Sequence, residues 1–107
     1  MLRRIGRSEA IVAFQSAGRT AEPWLGPDAG TVLRDLAARG TRNALLCPIG
    51  FVSDHLEVLY DVDIELQALA AELHLTLRRT ESLNDSPQFI NALSRLAQET
   101  AGAAGWA

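Results

Sequence analysis

The sequence of 107 residues has no lysine, a single cysteine, and aromatic residues at only 6%. One cysteine excludes a disulfide framework and any metal site that the chain would build from cysteines alone. No apolar run approaches the ~20 residues of a membrane-spanning helix, and the N-terminus lacks the apolar core of a signal peptide, so we expect a cytoplasmic protein. The length and the apolar content of 48% fit one small globular domain over residues 1–107.

Basic residues are also absent from one long stretch. Residues 1–53 carry seven arginines against four acids, a balance of +3, whereas residues 54–107 carry three against nine, a balance of −6. A nucleic-acid-binding protein would show a clustered basic face, so we expect no nucleic acid as partner. Three N-terminal arginines allow at most peripheral membrane contact. A cation is the partner indicated by the six acids of the stretch without bases: Asp54, Glu57, Asp61, Asp63, Glu65 and Glu72.

Short apolar runs alternate with helical patterns along the chain. The runs predict strands at residues 10–14, 44–47 and 75–78. Alternation of this kind is typical of an α/β fold, here a three-layer domain with a parallel sheet of βαβ units. Ligands of such sheets bind beyond the carboxyl ends of the strands. Three strands are few, and both sheet edges would be open, which indicates that part of the fold lies outside this chain.

Three helices are predicted between and after these strands. Asp28 is a suitable N-cap for the first helix, and Gly40 is a suitable residue to end it. Ser53 is the predicted cap of a long second helix that runs to about residue 73. The pair Ser86-Pro87 predicts the start of the last helix, because proline is favoured at the first helical position.

Four of the acids share one face of the predicted second helix. At 100° per residue, Asp54, Glu57, Asp61 and Glu65 fall within about 80° of one another. Unpaired carboxylates are too costly to bury in dry protein, so they face solvent, a water-filled cleft or a cation. Carboxylates with the imidazole of His55 suit Fe²⁺, Mg²⁺, Mn²⁺ or Zn²⁺. The alternative is a solvated stripe, with His55 as a satisfied polar residue.

Residues 48–65 read PIGFVSDHLEVLYDVDIE, and this run resembles the signature of the ferrochelatases, which insert ferrous iron into a porphyrin. The resemblance extends to FQS at 14–16, PWLGP at 23–27 and RRTESLN at 78–84, and it covers residues 9–97. It implies a lyase of haem biosynthesis with the chelatase-like α/β fold. It also implies that this chain is the C-terminal half of the family, with the N-terminal half or a second copy as partner.

The resemblance implies roles for four residues of the second helix region. Glu57 would point into the porphyrin cleft at the metal-insertion site, with His55 beside it as a proton-relay or metal-delivery group. Asp61 and Glu65 would continue as an acidic path for metal or protons. The family's helix contains a π-type turn here, and a wider turn would bring these carboxylates closer to one line.

The resemblance also implies the substrate contacts and the metal. Trp24 would line the porphyrin pocket, and Gln15 and Ser16 would lie near its mouth. Ferrous iron would be the substrate metal. No iron–sulfur cluster is expected, since the cysteine-bearing extension of some relatives has no counterpart here. The pair Arg78-Arg79 is predicted to be solvated at a sheet edge, with contact to porphyrin carboxylates as the alternative.

Two other interpretations stay open. The chain could be a non-catalytic module that binds divalent metal or a partner through its carboxylates. It could also be a self-associating short chelatase, in which a two-fold dimer imitates the missing half. Such a dimer would bring two acidic faces together, which like-charge repulsion disfavours without metal.

Overall fold

The computed structural model describes residues 10–15 and 26–106. Helices and parallel strands are mixed along the chain, which confirms the α/β class. No helix in this described part has the length and hydrophobicity that a membrane crossing requires. The elements in chain order are α1 (Ala29–Ala38), β1 (Asn43–Leu46), a π-helix (Val58–Leu66), α2 (Gln67–Glu72), β2 (Thr76–Arg79) and α3 (Pro87–Ala103).

The two strands form a parallel pair connected through the π-helix and α2. Asn43 is paired with Thr76 at one end, and Leu46 with Arg79 at the other. A parallel pair needs a crossover of this kind, so the segment is one βαβ unit. The carboxyl ends of both strands therefore lie at the same edge, where the loops at 47–55 and 80–86 begin.

The strand predicted at residues 10–14 is wrong. Phe14 forms a single bridge with Asp28, in which its N–H donates to the oxygen of Pro27 and its oxygen accepts from the N–H of Ala29, both at 2.9 Å. Ile11 is 58% exposed. A β-strand needs a neighbouring strand to satisfy its backbone groups, and this segment has none within the described residues. The sheet there has two strands instead of three.

The first helix is confirmed at both ends. The Asp28 carboxylate accepts from the N–H of Thr31 at 3.2 Å, which satisfies a donor that the helix itself leaves free. Gly40 has a φ of +84°, the left-handed conformation that ends a helix at low cost for glycine. Leu33 on the inner face is buried, as its place in the apolar pattern predicts.

The second helix differs from its prediction in its start. It begins at Leu56, two residues after the start that a cap at Ser53 predicts, and it is a π-helix over Val58–Leu66. The residues before it are held outside the helix: the oxygen of Val52 accepts from the N–H of Asn84, and the N–H of Asp54 donates to the Asn84 side chain. Ser53 therefore does not act as the cap.

The core lies between α1, the second helix and the sheet. Val58, Val62, Leu66 and Ala70 are all buried, four residues apart, along one face of the π-helix and α2. Three of these residues pack in the main cluster with residues of α1, of β2 and of the position just before β2: Val62, Leu66 and Ala70 with Ala29, Leu33, Leu75 and Leu77.

Helix α3 begins at Pro87 as predicted, with Ser86 before it, but contributes nothing to that core. It has no buried residue, and Leu93 and Leu96 are 45% and 60% exposed. The radius of gyration is 17.7 Å, whereas a compact domain of this length has one of about 13 Å. The site is therefore built by the part of the chain before α3.

Candidate functional site

His55 lies in the loop between β1 and the π-helix, beyond the carboxyl edge of the sheet. Its side chain is half-buried. The edge of its ring packs against Phe51, with 3.9 Å between ring centroids and 63° between ring planes. This contact and the backbone of the loop fix the direction of the imidazole.

The hydrogen bonding of His55 defines its tautomer. Nδ1 lies 3.2 Å from the N–H of Glu57 and accepts from it, so the neutral ring carries its proton on Nε2. Nε2 is buried and has no hydrogen-bond partner in the described part of the chain. A proton added at Nδ1 would make both nitrogens donors and would break the bond to Glu57. The bond therefore couples the orientation of the His55 ring to the backbone of Glu57.

Three carboxylates follow His55 along the second helix, and we call Glu57, Asp61 and Glu65 the acidic row. Glu57 and Glu65 are exposed, and Asp61 is half-buried. A π-helix has hydrogen bonds from i to i+5 and more residues per turn than an α-helix, so residues four apart stay close to one line. The π-type turn that the family resemblance implies is present.

Asp54 does not belong to this row, contrary to the helical-wheel prediction. It precedes the helix, and its carboxylate accepts from the Asn84 side chain at 3.3 Å. The same carboxylate lies 3.8 Å from the guanidinium of Arg79. Asp54 thus has partners of its own, which reduces its capacity to hold a cation.

Arg79 forms the strongest polar contact near the site. Its Nε and Nη2 donate to the two oxygens of Asp63 at 2.6 and 2.8 Å, a bidentate pair that ties β2 to the π-helix. Nη1 also donates to the oxygen of Thr80 at 3.1 Å. The prediction of a solvated arginine pair is wrong for Arg79, whose side chain is only 16% exposed, whereas Arg78 is exposed.

This pair shifts the titration of both partners. The hydrogen bonds from Arg79 lower the pKa of Asp63 below its ordinary value, although partial burial acts in the opposite direction. The same hydrogen bonds raise the pKa of Arg79. Asp63 is therefore ionised throughout the neutral range and serves as a structural partner of Arg79.

The lowered pKa of Asp63 predicts a loss of stability in acid. An aspartate pKa that is lower in the folded chain adds stability above the unfolded value of about 3.9, and this contribution is lost as the pH falls through the folded pKa. Thermal unfolding between pH 2.5 and 7 measures this loss. The melting temperature of the wild type should exceed that of Asp63→Asn at neutral pH, and the difference should shrink below about pH 4. A constant difference between the two proteins across this range would contradict the prediction.

The row does not form a closed metal site. Within residues 10–15 and 26–106, no group of three or more histidine, cysteine, aspartate or glutamate side chains is placed to hold a metal ion. Of the residues predicted as metal ligands, the structure connects His55 and Glu57 directly, and it places Asp61 and Glu65 further along the helix. Such a row of carboxylates can attract a cation.

The predicted substrate contacts are only partly described. Gln15 is half-buried, and its Oε1 is buried without a hydrogen-bond partner among the residues that the structure describes. Ser16 and Trp24 lie outside the described residues. A cavity of about 420 Å³ contains none of the predicted site residues and is lined by Gln67, Ala71, Leu75, Thr76, Leu77, Arg78 and Arg79.

Comparison with known proteins identifies the family. The family model described as Ferrochelatase matches residues 1–101. The chain belongs to the ferrochelatase family. Proteins named ferrochelatase from Herpetosiphon aurantiacus and Thermus thermophilus are 54% and 51% identical over 80 and 87 residues, which are 75% and 81% of this chain. A protein named coproporphyrin III ferrochelatase from Halalkalibacterium halodurans is 44% identical over 95 residues, 88% of this chain.

The match covers only part of these ferrochelatases. It includes 26%, 27% and 31% of their respective lengths. The chain therefore spans roughly a quarter to a third of the relatives it matches.

The polar contacts around the row are not visible in the sequence. Nothing in the spacing of Asp63, Arg79 and Asn84 indicates that they meet, because they belong to three segments that only the folded chain brings together. The one signal is that Arg79 and Asn84 belong to the RRTESLN run that resembles the ferrochelatases. For Arg79 the sequence predicts solvation or contact with porphyrin carboxylates, and it predicts no role for Asn84.

Proposed function

We propose that this chain provides the metal-insertion site of a ferrochelatase and takes part in placing ferrous iron in a porphyrin during haem biosynthesis. Membership of the family supports the reaction. The observation that carries the proposal is the bond between the Glu57 N–H and His55 Nδ1 at the start of a π-helix that bears the acidic row.

The insertion of one divalent metal ion into a porphyrin releases two protons. The porphyrin loses two pyrrole N–H protons, the ferrous ion loses its water ligands, and no electron is transferred. In our proposal Glu57 lies at the macrocycle and accepts a proton from a pyrrole nitrogen. His55 lies beside it and passes protons onward, and both residues contact the metal during its transfer.

Asp61 and Glu65 would serve the movement of ions along the helix. A substrate metal has to be released to the macrocycle, so weak binding at successive carboxylates suits its delivery better than a closed coordination sphere does. The chain has six acids and no arginine or lysine over residues 54–77. This surplus of negative charge raises the local concentration of a divalent cation.

The remaining parts of the proposal concern the partner and the porphyrin. We propose that the chain belongs to the C-terminal half of a three-layer enzyme, with an N-terminal half or a second copy as partner. Trp24, Gln15 and Ser16 would contact the porphyrin, and no iron–sulfur cluster would take part. The cytoplasmic location stays a prediction.

Because the Halalkalibacterium relative is named for coproporphyrin III, that porphyrin and protoporphyrin are both to be tested.

The test is porphyrin metallation, followed by absorbance under anaerobic conditions. The chain is assayed alone and together with the portion of the Thermus thermophilus relative that lies outside the match. We expect insertion of Fe²⁺ or Zn²⁺ above the spontaneous rate in at least the mixture. Calorimetric binding of metal without metallation in either sample would instead favour a non-catalytic metal-binding module. A rise in molecular mass with metal would favour self-association.

A further inference from the structure

Asn84 lies in the loop between β2 and α3 and makes three hydrogen bonds to the segment before His55. Its backbone N–H donates to the oxygen of Val52 at 2.8 Å. Its Oδ1 accepts from the N–H of Asp54 at 2.9 Å, and its Nδ2 donates to the carboxylate of Asp54 at 3.3 Å. The main chain and the side chain of Asn84 thus hold residues 52–54 in place.

The backbone of Asn84 is in a conformation that suits few residue types. Its φ is +48°, in the left-handed region where asparagine is one of the few residues other than glycine to be found regularly. Residues in such regions persist where surrounding contacts fix them. Here those contacts are the three bonds to the segment before His55, so the loop conformation and the position of that segment depend on each other.

The three hydrogen bonds of Asn84 also limit the position of His55. Asp54 and His55 are adjacent, so an anchored Asp54 limits where the His55 ring can lie. In the structure the ring lies where its Nδ1 accepts from the N–H of Glu57, 3.2 Å away. The Asp54 carboxylate also lies 3.8 Å from Arg79, which binds Asp63 of the π-helix. One set of contacts therefore holds the loop and the helix that carry the site.

We propose that Asn84 is a positioning residue: it holds Asp54 so that His55 and Glu57 keep the geometry that the reaction needs. This inference rests on the proposed function only for its catalytic consequence. The geometric part, in which Asn84 controls the bond between His55 and Glu57, stands on the structure and can be measured without activity.

The test compares amide hydrogen exchange by NMR in the 107-residue chain and its Asn84→Gly variant. Glycine accepts the positive φ, so this change removes the side chain without adding backbone strain. We expect the amides of Asp54 and Glu57 to exchange about five- to tenfold faster. The Thr76 amide, which donates to the oxygen of Arg42 at 2.8 Å, should change less than about twofold, because a local loss leaves the sheet intact.

The matched control is His74→Gly. His74 is exposed and also has a positive φ, of 54°, but lies at the end of α2, away from the site. It should leave the Glu57 amide unchanged. If Asn84→Gly raises exchange equally at Thr76 and Glu57, or leaves Glu57 unchanged, Asn84 does not position His55.

A second variant covers the case in which Asn84→Gly does not fold. Asn84→Asp keeps an oxygen for the N–H of Asp54 but faces the Asp54 carboxylate with a second carboxylate. We expect a severalfold rise in exchange at Glu57, smaller than in the glycine variant, and no rise would overturn the proposal. In the metallation assay, both variants should lower kcat more than they raise KM for the metal.

The two proposals fail in different ways. If the wild type inserts no metal under any of the conditions tested, the proposed function is wrong, while amide exchange still decides whether Asn84 holds His55. If the wild type inserts metal and Asn84→Gly leaves the Glu57 amide and kcat unchanged, the function stands and the role of Asn84 is wrong.

Discussion

Replacing Glu57 with glutamine is expected to lower the rate of metal insertion by about 10²- to 10⁴-fold, the usual effect of a lost general base. Glutamine has nearly the same shape but cannot accept a proton or balance the charge of a metal ion. Glu57 is exposed and lies outside the core, so the melting temperature should stay within about 2 °C of the wild type. Metallation kinetics and thermal unfolding on the same preparations measure both quantities.

The matched control for this experiment is Glu72→Gln. Glu72 is also exposed and lies on α2, beyond the acidic row. The same change of charge there should alter the rate less than about twofold, because a charge outside the site affects only long-range attraction. Equal losses of activity in the two variants would show that net charge, not the position of Glu57, supports the reaction.

The second large effect is expected in stability. Arg79→Met keeps an apolar stem but removes the guanidinium, which leaves Asp63 and Asp54 without their cation. Loss of a half-buried bidentate pair costs about 2 kcal/mol, less than for a fully buried pair because Asp63 is 35% exposed. For a chain of this length, the melting temperature should fall by roughly 10 °C. Calorimetry or circular dichroism on heating gives the value.

Two further variants test whether the loss comes from this pair. Arg78→Met changes the neighbouring exposed arginine of β2 and should cost less than about 0.5 kcal/mol. In a double-mutant cycle, Arg79→Met with Asp63→Asn should give a coupling free energy of about 1–2 kcal/mol. A coupling free energy near zero would mean that Arg79 acts through its apolar stem instead of its bond to Asp63.

Local signals in the sequence predict the ends of α1 and the approximate positions of the strands. Asp28 and Gly40 are recognisable because a cap and a left-handed stop depend on neighbouring residues alone. The strands β1 and β2 lie one residue away from the prediction, at each end. Their apolar composition identifies them, whereas the exact bounds depend on which backbone groups find partners.

The remaining differences come from contacts that a local pattern does not contain. The second helix starts two residues late because Asn84, thirty residues further along, binds Asp54. The segment at 10–14 has the composition of a strand, but a strand also requires a neighbour. The acidic row is partly predictable: the order Glu57, Asp61, Glu65 is visible in the spacing, and the separation of Asp54 from it is not.

The contact between Arg79 and Asp63 has a consequence for the effect of dissolved salt. Mobile ions screen exposed charges over distances of about 10 Å at 0.1 M, but they act weakly on a half-buried pair in direct contact. Glu57 and Glu65 are exposed, whereas the Arg79 side chain is largely covered. A rise in ionic strength therefore weakens the attraction of these carboxylates for cations while the frame that carries them stays intact.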